Sequence, residues 1–213
     1  MRIADRRVAL TGGWPRESDY WDALVDAAPG RVVWLSWLGN EHIAEFLFAP
    51  DPPFDFIPRS RPYGPIAPDA RLVPESLVRA HFQRYVADLA PLLARLRAVA
   101  RLVVVVGPPP PKGDDDALRR RLRNEAHFRT RLAAIGIDAA GARLTPPHVR
   151  ARLWRVIQDL RDEAAAEAGV RSVECPPLAR DHDFLKRQFW GDDVTHANEA
   201  FGALMTAHLE RTA

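Results

Sequence analysis

Short apolar runs alternate with longer stretches in which apolar residues recur at helical spacing. The runs at 8–11, 31–37, 102–106 and 172–175 have the length and β-branched or aromatic content of buried strands. The clearest is 102–106, Leu-Val-Val-Val-Val, a continuous apolar run of the kind that forms when both faces of a sheet are covered. Between the runs, Tyr20, Trp21, Leu24 and Val25 predict a helix from about 17 to 27. A broad apolar face from Leu77 to Leu96 predicts a second over 74–98, with Pro91 kinking or splitting it. Further helices are expected over 115–135, from Thr145 as N-cap with Pro146 at the first position, and from about His196 to Arg211, with a helical turn at 183–189. Proline-rich segment 50–74 reads as an ordered loop around a short strand at 54–57, because Phe54, Phe56, Ile57 and Tyr63 call for burial.

Strands alternating with helices predict an α/β fold, a doubly wound, mostly parallel sheet in a flavodoxin-like three-layer α/β/α arrangement. With 213 residues and no polar linker near the middle, a single domain over 1–213 is expected. An apolar fraction of 47% and a charged fraction of 27% exclude a disordered or fibrous class.

Thirty Lys and Arg against 28 Asp and Glu leave a net charge of +2, too balanced to imply a nucleic-acid partner. The dense basic run Arg119, Arg120, Arg121 and Arg123 reads as a solvated helix face. A lone cysteine, Cys175, permits neither an internal disulfide nor a thiolate metal cluster. The absence of long apolar stretches and of a signal-like start predicts a cytoplasmic protein without a membrane partner.

In a doubly wound sheet, ligands bind outside the carboxyl ends of the strands. Four segments therefore carry the candidate chemistry. Thr11, Gly12, Gly13 and Trp14 follow the first run; Gly39, Asn40, Glu41 and His42 follow the second; Gly107, Pro108 and the prolines up to Lys112 follow the third; and Asp192, Asp193, Val194, Thr195 and His196 precede the last helix. Asp193 and His196, three apart at a loop-to-helix junction, are suited to a carboxylate fixing an imidazole as a general base. The plainer alternative is that Asp193 or Thr195 caps the last helix. His42 reads either as a packing residue or as a second base or substrate ligand in the same cleft. Glu41, Asp192 and Lys112 read as solvated, and Trp34, Trp37, Trp154 and Trp190 as core or cleft wall. No His pair at helical spacing supports a metal, Gly12-Gly13-Trp14-Pro15 is not a phosphate-binding loop, and no cofactor is expected.

Together these segments resemble the SGNH (GDSL-type) hydrolase superfamily, in particular small bacterial members with a proline-rich third block. Asp193-Val194-Thr195-His196 is similar to the family's Asp-x-x-His block, and 197–202 to the start of its final helix. Gly39 resembles the block-two glycine whose N–H serves the oxyanion hole, and Gly107 with its prolines stands in the place of the Gly-x-Asn block. The resemblance implies a hydrolase or acyltransferase acting on a small acyl ester or acylated carbohydrate. His196 and Asp193 would be catalytic, with Gly39 and Asn40 as oxyanion donors and Gly12, Gly13, Trp14, His42, Gly107 and Pro108 lining the cleft. Two departures stand out. Trp14 occupies the place expected for the nucleophilic serine, with only Ser18 or Thr11 as nearby hydroxyls, and the third block has no asparagine. The alternative is a degenerate member of the fold that binds a ligand or partner without turnover.

Overall fold

The computed structural model describes residues 18–37, 39–60, 64–134, 136–138 and 141–212. The strand expected at 8–11, and with it Thr11, Gly12, Gly13 and Trp14, lies outside the described residues. In chain order the elements are α1 (Ser18–Ala27), β1 (Val32–Ser36), α2 (Glu41–Phe46), β2 (Phe54–Asp55), β3 (Arg71–Leu72), α3 (Glu75–Val86), α4 (Leu89–Val99), β4 (Leu102–Val106), α5 (Asp115–Leu122), α6 (Ala126–Ala134), α7 (Pro147–Glu167), β5 (Arg171–Val173), β6 (Arg180–Asp181), β7 (Phe184–Leu185) and α8 (Glu199–Thr212). The chain is a mixed α/β protein, about half of it helical, built on a small parallel sheet of order β1-β4-β5. β1 pairs with β4 along its whole length, Val32 opposite Leu102 and Ser36 opposite Val106.

Side-chain alternation along these strands divides the core. Val33, Leu35, Val103 and Val105 face one way and pack with α1, α3, α4 and α7; Trp34, Leu102, Val104 and Val106 face the other and pack with Ala117 and with Phe201, Met205 and Leu209 of α8. Both sheet faces are covered, which is why β4 has no polar residue. A third cluster joins Ile43 and Leu47 to Leu118, Leu122 and Phe128, and takes in Val194 from the loop before α8.

Several boundaries differ from the sequence expectation for local reasons. The helix expected over 74–98 is two helices, broken at 87–88 rather than at Pro91. Pro91 falls in the first turn of α4, where a missing N–H removes no intrahelical bond. The basic helix ends at Leu122 and resumes at Ala126. Pro146, not Thr145, is the N-cap of α7, and the Thr145 N–H donates instead to the Leu47 carbonyl. The helical turn expected over 183–189 is confined to a short 3₁₀ turn at Arg187–Phe189, because a hairpin of β6 and β7, turning at His182 with φ +54°, takes up the residues before it. The last helix starts at Glu199, three residues after His196, with the Asn198 Oδ1 accepting the Phe201 N–H at 3.1 Å. β3, which pairs in parallel with β2, has no counterpart in the apolar pattern because both its residues are exposed.

No helix of the described residues is long and apolar enough to cross a membrane.

Candidate functional site

The carboxyl ends of β1 and β4 open into a cleft of about 300 Å³. Ser36, Gly39, Asn40, His42 and Ile43 form one side, Pro108 to Lys112 the second, and Val194 to Ala197 with Phe201 the third. Three of the four expected segments thus meet. Parity along β1 puts Ser36 on the same sheet face as Trp34, the face packed by α8 and by Ala197, and Ser36 lines the cleft together with His196.

That loop is tightly organised. Asp193 Oδ2 lies 2.5 Å from His196 Nδ1, while its Oδ1 accepts the backbone N–H groups of Thr195 at 2.8 Å and His196 at 2.6 Å. Burial pushes the Asp193 carboxyl up, but the hydrogen bonds from His196 and Thr195 outweigh it and hold the pKa below the ordinary range. Asp193 therefore stays ionised and fixes the proton on Nδ1, leaving Nε2 as the free ring nitrogen of an exposed imidazole. The Thr195 hydroxyl sits 3.0 Å from the same Nδ1, so it belongs to the orienting side of the ring. Asp193 does not cap α8; Asn198 does, and the carboxylate is committed to the imidazole and its own turn.

Lys112, expected to be solvated, is buried beneath this loop. Its ammonium donates to the carbonyls of Asp193 at 2.5 Å and Gly191 at 3.3 Å and stands over the Trp190 ring. Burial pulls its pKa down to about 8, against the opposing pull of Asp193. Arg121 likewise reaches the Gly191 carbonyl and the Trp190 ring, and Glu125 accepts the Val194 N–H at 3.0 Å. One arginine of the supposedly solvated basic face thus holds the dyad loop. The sequence signal was present in the burial-prone Trp190 and Val194, since an apolar residue on a loop must be packed by whatever lies beside it.

Gly39 plays a different part from the one expected. Its N–H donates to both carboxylate oxygens of Glu41 at 3.0 Å, so it is not available to an oxyanion. Glu41 is buried rather than solvated, and burial raises its pKa despite the Gly39 and Arg161 contacts. What requires glycine at 39 is backbone: φ is +139°, and a Cβ there would fall 2.3 Å from the Pro108 Cβ. Gly107 does not line the cleft. Its N–H donates to the Val173 carbonyl at 2.8 Å, and it allows β4 to pass close to the backbone at 174–175. Asn40 is exposed at the cleft, where its side-chain NH₂ can donate, and its Oδ1 makes no capping bond to α2. Ser18 opens α1.

His42 is no second base. The ring is buried, neither nitrogen has a hydrogen-bond partner, and burial with the nearby Arg150 guanidinium pulls the pKa from 6.5 to about 3. A base whose folded pKa lies below its unfolded value weakens the fold as pH falls, because only the unfolded chain takes up the proton. No loss is expected above about pH 6.5, with progressive loss from there toward pH 3. Melting curves between pH 7.5 and 4.5 check this: the decline should be shallower in His42→Phe than in the wild-type protein.

Among the described residues no group of His, Cys, Asp and Glu is arranged to hold a metal ion. No family model, curated protein or solved structure matches the chain. The site is therefore read from its own chemistry: an oriented imidazole with a free Nε2, a side-chain amide, and a hydroxyl at a strand end, around a cleft large enough for a small ligand.

Proposed function

We propose that the protein is a hydrolase or acyl-transfer enzyme with an SGNH-like, doubly wound fold, acting on a small ester or acylated sugar. The Asp193–His196 pair carries the reading, because a carboxylate at 2.5 Å from Nδ1 sets the tautomer that leaves Nε2 basic at the cleft. In this mechanism the ester carbonyl oxygen points at the Asn40 amide, and the attacking O–H gives its proton to Nε2 as its oxygen bonds to the carbonyl carbon. The tetrahedral intermediate then collapses, and the same proton passes to the departing alkoxide. Where water attacks, this completes hydrolysis; where Ser36 attacks, the acyl-serine ester is resolved in a second round, in which water or an acceptor hydroxyl gives its proton to Nε2 as it bonds to the carbonyl carbon and the departing Ser36 oxygen takes that proton back.

A second reading, a binding protein on the same fold, is favoured by two observations. The Gly39 N–H is taken by Glu41, which removes one expected oxyanion donor. In addition, a flavodoxin-like order of 2-1-3-4-5 puts a first strand between the second and the third, whereas β1 pairs directly with β4.

A screen of short acyl p-nitrophenyl esters and acetylated sugars, run beside fluorophosphonate labelling and peptide mass spectrometry, separates these readings. The enzyme reading expects turnover, with an adduct on Ser36 if the hydroxyl attacks and none if water does. Ligand binding without turnover or adduct would establish the binder.

A further inference from the structure

Away from the cleft, the end of α2, the proline-rich loop and α3 enclose a second pocket of about 340 Å³. Phe46, Pro50, Pro52, Phe54, Val73, Leu77 and Val78 make its walls, and Arg71 and His81 are its polar lining residues. Phe46 and Phe54 meet edge to face with centroids 5.4 Å apart, and the His81 ring packs on Phe46 at 5.3 Å. Leu77 remains 61% exposed at the pocket, and neighbouring Leu72 is 56% exposed. These walls offer water almost no hydrogen-bonding partners, so an apolar chain that displaces it gains the full benefit of burial.

The charges around the pocket select the other end of the ligand. Arg71 is exposed, and its guanidinium has no ion-pair partner among the described residues. Glu45 of α2, next to the pocket-lining Phe46, is already held by His81 Nε2, by Arg84 and by the Tyr85 hydroxyl. It is therefore neutralised by its own partners rather than by Arg71. A fork of N–H donors at the rim of an apolar pocket suits a carboxylate with an apolar tail.

We propose that this pocket is a binding site for a medium-chain monocarboxylate, with its carboxylate on Arg71 and its tail between Phe46, Phe54, Val73 and Val78. The pocket size places it at the small end of ligand sites, which suits a tail of single-chain or single-ring width rather than a lipid with two chains. The site is separate from the His196 cleft and does not depend on the catalytic reading.

Calorimetric titration of the full chain with sodium octanoate, octylammonium chloride and sodium acetate tests it. Octanoate is expected to bind saturably and the other two not to. Arg71→Glu should weaken octanoate at least tenfold and admit octylammonium, and Leu77→Trp should weaken octanoate at least tenfold by filling the pocket. Leu77 and Arg71 are exposed, so both variants should fold, which circular dichroism verifies. No saturable octanoate binding by the wild type overturns the proposal. So does binding that survives unchanged in both folded variants, because the acid would then be seated elsewhere; an equal loss in His196→Ala would locate it in the catalytic cleft.

Discussion

Replacing His196 with alanine is expected to lower kcat on a responsive ester by about 10² to 10⁴ with no change in melting temperature. The imidazole is largely exposed, so its loss removes little packing, whereas Nε2 is the group through which the proton moves. Asp193→Asn is the more instructive partner. In the wild type one carboxylate oxygen accepts two backbone N–H groups and the other faces Nδ1. An asparagine that keeps its oxygen on the backbone donors must present its NH₂ to Nδ1, which drives the ring proton onto Nε2 and leaves no lone pair at the cleft. The asparagine variant should therefore approach the alanine variant in rate, a result a mere electrostatic helper would not give. Steady-state kinetics across pH, with melting curves as the fold control, check both. A His196→Ala protein that turns over ester at the wild-type rate removes the histidine from the mechanism.

The largest stability effect is expected at Asp55. This carboxylate is fully buried, accepts from Arg152 at 2.7 Å on both oxygens, and also receives the N–H groups of Phe56 and Ala67. It ties β2, the proline-rich loop and α7 into one knot. Removing one partner of a buried pair leaves the other charge desolvated, and Asp55→Ala should destabilise the fold by about 3–5 kcal/mol. The orphaned groups here are Arg152 and two loop N–H donors. Urea denaturation of the variant beside Arg152→Met distinguishes charge from packing, since the double substitution should be less damaging than the sum of the two single ones. Strict additivity would show that the pair is not coupled.

Much of the frame was legible in the sequence because it rests on local patterns. The runs at 31–37 and 102–106 are β1 and β4, and their apolar continuity reflects burial on both faces. The meeting of Asn40, His42, the prolines and His196 in one cleft follows from the rule that ligands gather where parallel strands end. What escaped the sequence is long-range pairing of charges. Lys112 and Glu41 look like ordinary solvated residues along the chain, and only the fold reveals one gripping the dyad loop and the other occupying the Gly39 N–H. His42 escaped for a related reason: spacing shows that a histidine faces a site but not whether water reaches it. The exposed β3 and the hairpin of β6 and β7 carry no apolar alternation to betray them.

The run from Pro108 to Pro111 has a consequence for how a molecule sits in the cleft. Four successive residues without an N–H make a wall that presents no backbone donor, and their rings hold φ near one value, so little freedom remains to be lost on contact. Hydrogen-bond donation to a guest then falls to the other two sides, which carry the Asn40 amide, Ser36 and the dyad loop. A carbonyl entering this space is expected to turn its oxygen away from the prolines, toward the sides that carry Asn40, Ser36 and the dyad loop, with its apolar side against the prolines. Polarity of approach is thereby fixed by the walls themselves, before any catalytic group takes part.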